Sequence, residues 1–401
     1  MSALHGGFSF SAKPAGPGGP ILSPVKIKAA KLVLPDREVE QISILIDGGR
    51  IKGISAESGD VDFDLSDCVI FPGFIDVHNH GSVGIDVLEA TPGGFEEVSR
   101  YQASQGVTGW LPTTVPASDE TYGQVAENLE LAMRAAGKGA RLLGIHYEGP
   151  FVNSLQCGAL HTSNFKTYTR PADLDALKTP SSGARMITLA PEIEGGIDLV
   201  AELNRRGWVI SIGHTRADLK LLDAAFENGA CHMTHFMNAM SGLHHRNPGP
   251  VNWGLAHDDV SCDIVADGIH LDVSVLRLLF KIKGARQLAL ISDAIAAAGK
   301  GDGEYQIWGE MITVKSGRTS NASGSIAGSV ISLLDAVRLM RSLGISDVEV
   351  AQMAATNPSR LLRIDNECGS IAVGKRADLV AIDEKGNVRL TIVGGEVVYS
   401  P

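Results

Sequence analysis

An α/β fold built on a (β/α)8 TIM-like barrel, with a small β-sandwich domain assembled from both chain ends, is the architecture that the sequence predicts. Three observations predict it. The middle of the chain alternates eight short apolar runs with helical patterns long enough to act as crossovers. Those apolar runs repeatedly finish in His, Glu or Asp, and both chain ends carry β-rich pieces punctuated by tight turns. A doubly wound open sheet is the alternative, but no glycine-rich nucleotide fingerprint follows the first strand.

Residues 1–24 are rich in Gly, Pro and Ser and lack the apolar stretch of a signal peptide, so they read as a flexible N-terminal arm. Residues 25–34, 42–46 and 51–54 are β-rich, and Asp-Gly-Gly-Arg at 47–50 between alternating runs is a hairpin signal. Barrel strands are expected at 69–78, 106–114, 142–148, 186–190, 208–214, 232–235, 262–266 and 288–293. Helical patterns lie at 94–105, 120–136, 199–206, 218–228, 272–283, 329–342 and 346–355. Strand-and-turn patterns return at 369–382 and 390–399. The division is therefore a small β domain from 25–70 plus 367–401 and a metal-dependent barrel domain over 71–366.

The chain has 401 residues, 44% hydrophobic and 20% charged, as in ordinary water-soluble enzymes. A net charge of −11 without a basic run argues against a nucleic-acid partner. Any anionic ligand needs local groups to hold it. No apolar run reaches the roughly 18 residues of a membrane span, which argues against a membrane partner. Cys68, Cys157, Cys231, Cys262 and Cys368 are odd in number with no CxxC pair, the mark of reduced thiols in a cytoplasmic protein.

His78 and His80 close the first expected barrel strand, Glu148 the third, His214 the fifth, His235 the sixth and Asp293 the eighth. Alternate residues of a strand share a face, so His78 and His80 point together, about 7 Å apart by strand rise. Singly, each residue has an ordinary explanation. A lone strand-end His is more often a hydrogen-bonded structural residue, and Glu148 or Asp293 could cap a following helix. All six, however, fall at the C-terminal end of one barrel, where active sites are built. Imidazole and carboxylate together suit zinc, iron or a similar divalent metal.

The run FPGFIDVHNHG at 71–81 resembles the strand-one signature of the amidohydrolase superfamily. HYEGPF at 146–151, GHT at 213–215, THFMNAM at 234–240 and SDA at 292–294 resemble one branch of it, the N-acetylglucosamine-6-phosphate deacetylases. The likeness runs from about residue 25 to GKRADL at 374–379. It implies Glu148, His214 and His235 as ligands of one metal, and His78 and His80 as a second site bridged by Glu148, hence one or two ions per subunit. It implies Asp293 as catalytic base and acid, taking a proton from metal-activated water and giving it to the departing amine. It further implies His161, Asn238, Ala239, Arg246 and His270 as contacts to an amino-sugar phosphate, with Asn238 and Ala239 offering backbone N–H groups, and a homodimer. No lysine ends strand three or four, which disfavours a carboxylated-lysine bridge.

Three departures bear on the substrate. Gly-Ala-Leu-His at 158–161 has a residue inserted where the family usually reads Gly-Ala-His, Gly-Ser-Val-Gly at 81–84 replaces Gly-Gly-Tyr-Gly, and Tyr147 stands where Leu is common. The first two sit in expected loops beside the site. N-Acetylgalactosamine 6-phosphate, or another N-acyl amine, is the enzymatic alternative. A catalytically silent scaffold is the other, and it would be free to lose ligands that this chain keeps.

Overall fold

The computed structural model describes residues 24–56, 59–135 and 137–401, so the expected arm lies outside the described residues apart from Pro24. Eight parallel strands form the barrel: Phe74–Asn79, Val107–Thr114, Gly144–Glu148, Ala184–Leu189, Val209–Ile212, His232–Met233, Ser261–Val265 and Leu288–Ile291. Each pairs with the next in sequence, and a parallel bridge between Asn79 and Ala294 joins the eighth back to the first.

The strands form because both of their faces are buried. In the fourth and fifth, Met186 and Val209 join one core with Val77, Leu111, Val265 and Ile291. Their chain neighbours Ile187 and Ile210 join another with Leu199, Leu203, Leu222 and Leu276 of the surrounding helices. Helix starts follow local chemistry. Thr91, Ser118, Asp218, Asp272 and Ser332 each accept a first-turn N–H of the helix that follows, a contact worth about 1 kcal/mol at such positions.

Both chain ends build a seven-stranded sheet, in the order Glu396–Tyr399, Val388–Val393, Leu379–Asp383, Phe63–Pro72, Val25–Val33, Glu38–Asp47, Arg50–Ser55. Phe63–Pro72 is the seam, antiparallel to Leu379–Asp383 and parallel to Val25–Val33. This sheet has its own core of Ile27, Leu32, Ile44, Ile51, Ile70, Leu379, Leu390 and Ile392.

One expectation needs correcting. The apolar run at 69–78 is two strands in two sheets, divided at Gly73. There the chain passes so close to the second barrel strand that a Cβ would lie 2.2 Å from Thr108 Cγ2, which only glycine avoids. A second feature was not foreseen. Gly303–Ile307, Glu310–Lys315 and Arg318–Ser320 form a three-stranded antiparallel sheet between the eighth barrel strand and the helix Leu333–Ser342. Among the described residues, no helix is long and apolar enough to cross a membrane.

Candidate active site

The six strand-end residues converge. Glu148 Oε1 lies 2.9 Å from both His214 Nε2 and His235 Nε2, which are 3.2 Å apart. The Nε2 atoms of His78 and His80 are 3.1 Å apart, and Asp293 Oδ1 is 3.4 Å from the first and 3.3 Å from the second. Glu148 stands between the two groups, with Oε2 3.4 Å from His80 Nε2. All six side chains are buried.

The hydrogen bonds on the far side of two rings decide what this cluster can hold. His214 Nδ1 is 2.8 Å from the carbonyl of Gln156, and His80 Nδ1 is 3.1 Å from that of Thr113. A carbonyl only accepts, so each Nδ1 carries a proton and Nε2 is the ring atom turned toward the carboxylates and left to bind a cation. Lone pairs and carboxylate oxygens crowded together in a buried site repel unless a cation lies among them. The set Glu148, His214, His235 and the set His78, His80, Asp293 each bring their ligand atoms within 4.8 Å of one another, a nitrogen–oxygen donor set that fits a divalent metal.

The electrostatics agree. Burial pushes the Glu148 carboxyl up, but hydrogen bonds from His214 and His235 and the field of His78 hold it well below the usual range. Burial lowers His235, yet its bond to Glu148 and that group's charge outweigh this and raise it to about 9. Asp293 is also pushed up by burial and brought below its usual range by His78 and His80. In the absence of metal, a proton on the His235–Glu148 pair thus stands in for a cation.

Backbone geometry at the strand ends is unusual. His214, His235 and Asp293 have φ of 47°, 31° and 52°, a region that non-glycine residues seldom enter and that clusters at functional sites. Buried carboxylates hold two of these turns. Asp263 accepts the His235 N–H and pairs with His232 Nε2 at 3.0 Å. Asp76, pushed up to about 6 by burial, accepts from Ser292 Oγ at 2.6 Å and so anchors the residue before Asp293.

Above the cluster opens a cavity of about 290 Å³. Asn238, Ala239 and His270 line it. His270 Nδ1 is 2.7 Å from Asp267 Oδ2, which leaves Nε2 as the ring's remaining polar atom. The backbone N–H of Asn238 is not available to a ligand, because it donates to the His235 carbonyl at 2.8 Å. The donor at this position is the buried side-chain Nδ2, which has no partner among the described residues. His161 does not line the cavity: its Nε2 bonds the Trp308 carbonyl at 2.8 Å, and the inserted Leu160 takes the lining position. Arg246 is exposed and outside the lining, in a loop where its own N–H donates to His244 Nδ1 at 3.2 Å. Trp308, at the turn of the inserted sheet, lines the cavity, and no motif or spacing marked it. A larger cavity of about 510 Å³ beside Glu96, Met133 and Arg141 contains none of the donor residues.

Residues 69–398 match the sequence profile of the amidohydrolase family. The chain belongs to that family. It is 35% identical over 387 residues to the N-acetylglucosamine-6-phosphate deacetylase of Bacillus subtilis (strain 168), covering 93% of this chain and 96% of that one. It is 35% identical over 331 residues to the N-acetylgalactosamine-6-phosphate deacetylase of Escherichia coli O157:H7, covering 82% and 87%. The crystal structure of N-acetylglucosamine-6-phosphate deacetylase from Thermotoga maritima superposes with a TM-score of 0.86 at 33% identity, covering 94% of this chain and all of that one. This amidohydrolase is a metal-dependent carbon–nitrogen hydrolase.

Proposed function

We propose that this amidohydrolase removes the acetyl group from an N-acetylated amino-sugar 6-phosphate, converting N-acetylglucosamine 6-phosphate to glucosamine 6-phosphate and acetate. The observation that carries the reading is Glu148, His214 and His235 meeting beside Asp293, beneath a cavity with polar groups on one side. The activities named for the Bacillus and Thermotoga proteins support it.

A divalent ion, zinc or iron, held by Glu148, His214 and His235 would polarise the acetyl carbonyl and make water nucleophilic near neutral pH. Side chains do the rest. Asp293, ionised at neutral pH, takes the proton from the attacking water and returns it to the departing amine nitrogen. Asp267 holds the His270 ring so that Nε2 meets the substrate. Asn238 Nδ2 offers a hydrogen bond to a sugar or phosphate oxygen. His78 and His80, with Glu148 as the bridge, offer a place for a second ion.

Arg246, exposed and outside the lining of its own cavity, is the phosphate residue of this reading, offered to the neighbouring subunit of a homodimer. Arg246→Ala should raise KM for phosphorylated sugars and leave unphosphorylated ones unaffected; a monomer by light scattering, or equal effects on both, refutes that role. Acetate release from both N-acetylhexosamine 6-phosphate epimers, with bound metal counted, tests the reaction itself. The galactosamine epimer is the second reading, favoured by the equal identity to the Escherichia protein.

A further inference from the structure

The cavity has two unlike sides. Asn238, Ala239 and His270 follow the sixth and seventh barrel strands. Leu160 reaches in from the loop after the third strand and Trp308 from the sheet inserted after the eighth. These two apolar groups belong to one packed cluster, and the Trp308 ring stands beside His80 at the end of the first strand.

The apolar side is built rather than incidental. Trp308 packs against Leu160, Val115 and Val152 and also against the core of the inserted sheet, Ile295, Ile307 and Ile312. Its ring centre is 5.3 Å from that of His80, edge to face at 81°. Trp308 holds a φ of 53°, costly for a bulky residue, and its carbonyl is latched by His161 Nε2 at 2.8 Å. Leu160 is 7% exposed and is the very residue by which 158–161 departs from the pattern it resembles.

We propose that Trp308 and Leu160 form the wall that receives the acyl chain and limit the cleaved amide to a short one. This rests on the deacetylase reading above. An acyl carbonyl bound among the ligands has only two substituents, the nitrogen leading to the sugar and the alkyl chain. The sugar and its phosphate need the polar side, so the alkyl group turns to Leu160 and Trp308. A wall this close to the metal ligands leaves space for a methyl group and meets each added methylene with an indole packed between two apolar clusters. Rejection by such a pocket amounts to roughly 10- to 200-fold per methylene.

The test is kcat/KM for release of acid from N-acetyl-, N-propionyl- and N-butyryl-glucosamine 6-phosphate. The unmodified protein should prefer acetyl over propionyl by about tenfold or more, and acetyl over butyryl by about a hundredfold or more. Trp308→Ala and Leu160→Ala should each shrink that ratio by about tenfold, while Trp308→Phe retains most of it. Leu160→Ala carries the test alone if Trp308→Ala fails to fold. An unchanged acyl ratio with activity falling equally on all three substrates places these side chains against the sugar and overturns the proposal, as does a wild-type enzyme indifferent to chain length. Release from none of the three, nor from their galactosamine epimers, by the unmodified, metal-loaded protein overturns the deacetylase reading as well, which separates the two failures.

Discussion

Loading a divalent ion into metal-stripped protein should expel a proton from the His235–Glu148 pair. Glu148 raises His235 to about 9 against the pull of burial, so at pH 7 the stripped site is protonated. Metal needs the Nε2 lone pair. Two pH units of displacement amount to about 2.7 kcal/mol, or about a hundredfold weaker apparent affinity at pH 7 than above pH 9. Affinity should rise about tenfold per pH unit up to about 9 and then level. The same shift governs stability. The folded pKa lies above the unfolded 6.5, so the contribution is complete below pH 6.5 and is lost as pH rises through about 9. The stripped protein should therefore lose on the order of 3 kcal/mol across that window, a loss that metal-loaded protein does not share. Titration calorimetry in buffers of different ionisation heat counts the protons, and urea melts at several pH values follow the stability. Zero protons released at pH 7, or an affinity flat between pH 6.5 and 8.5, refutes the reasoning.

Three further outcomes follow from the geometry. Asp293→Asn should retain metal while turnover drops by about 10²- to 10⁴-fold, the span of general acid–base catalysis; near-normal kcat with metal bound would remove Asp293 from the reaction. The double variant His78→Asn/His80→Asn should lower metal content, measured by elemental analysis, before it lowers activity, because Glu148, His214 and His235 remain together. If both fall together, the His pair belongs to the essential site. Gly73→Ala should destabilise by about 1–3 kcal/mol in denaturant melts, the cost of overpacking at Thr108, with the metal site intact in whatever remains folded.

What the sequence by itself determined is local chemistry tied to a regular repeat. Apolar runs ending in His78, His80, Glu148, His214, His235 and Asp293 were readable because a parallel barrel puts every strand's C-terminal end on one face. Cα spacing and strand order then assemble the donors without knowledge of any contact. The chain ends were readable as one β domain for a similar reason, since strand patterns do not depend on partners, whereas their order within a single seven-stranded sheet was not. Contacts between distant segments were not. The close approach of Gly73 to Thr108, the clamp of Asp263 on His235, and the meeting of Trp308 with His80 and Leu160 join residues 28 to 228 positions apart. His161 and Arg246 show the same limit from the other side. Their residue types suited a substrate, and only the folded loops show that His161 meets the Trp308 carbonyl and that Arg246 lies outside the cavity of its own subunit. Which side chain reaches the site is settled by how loops pack on one another, a balance of small energies between segments that no periodicity encodes.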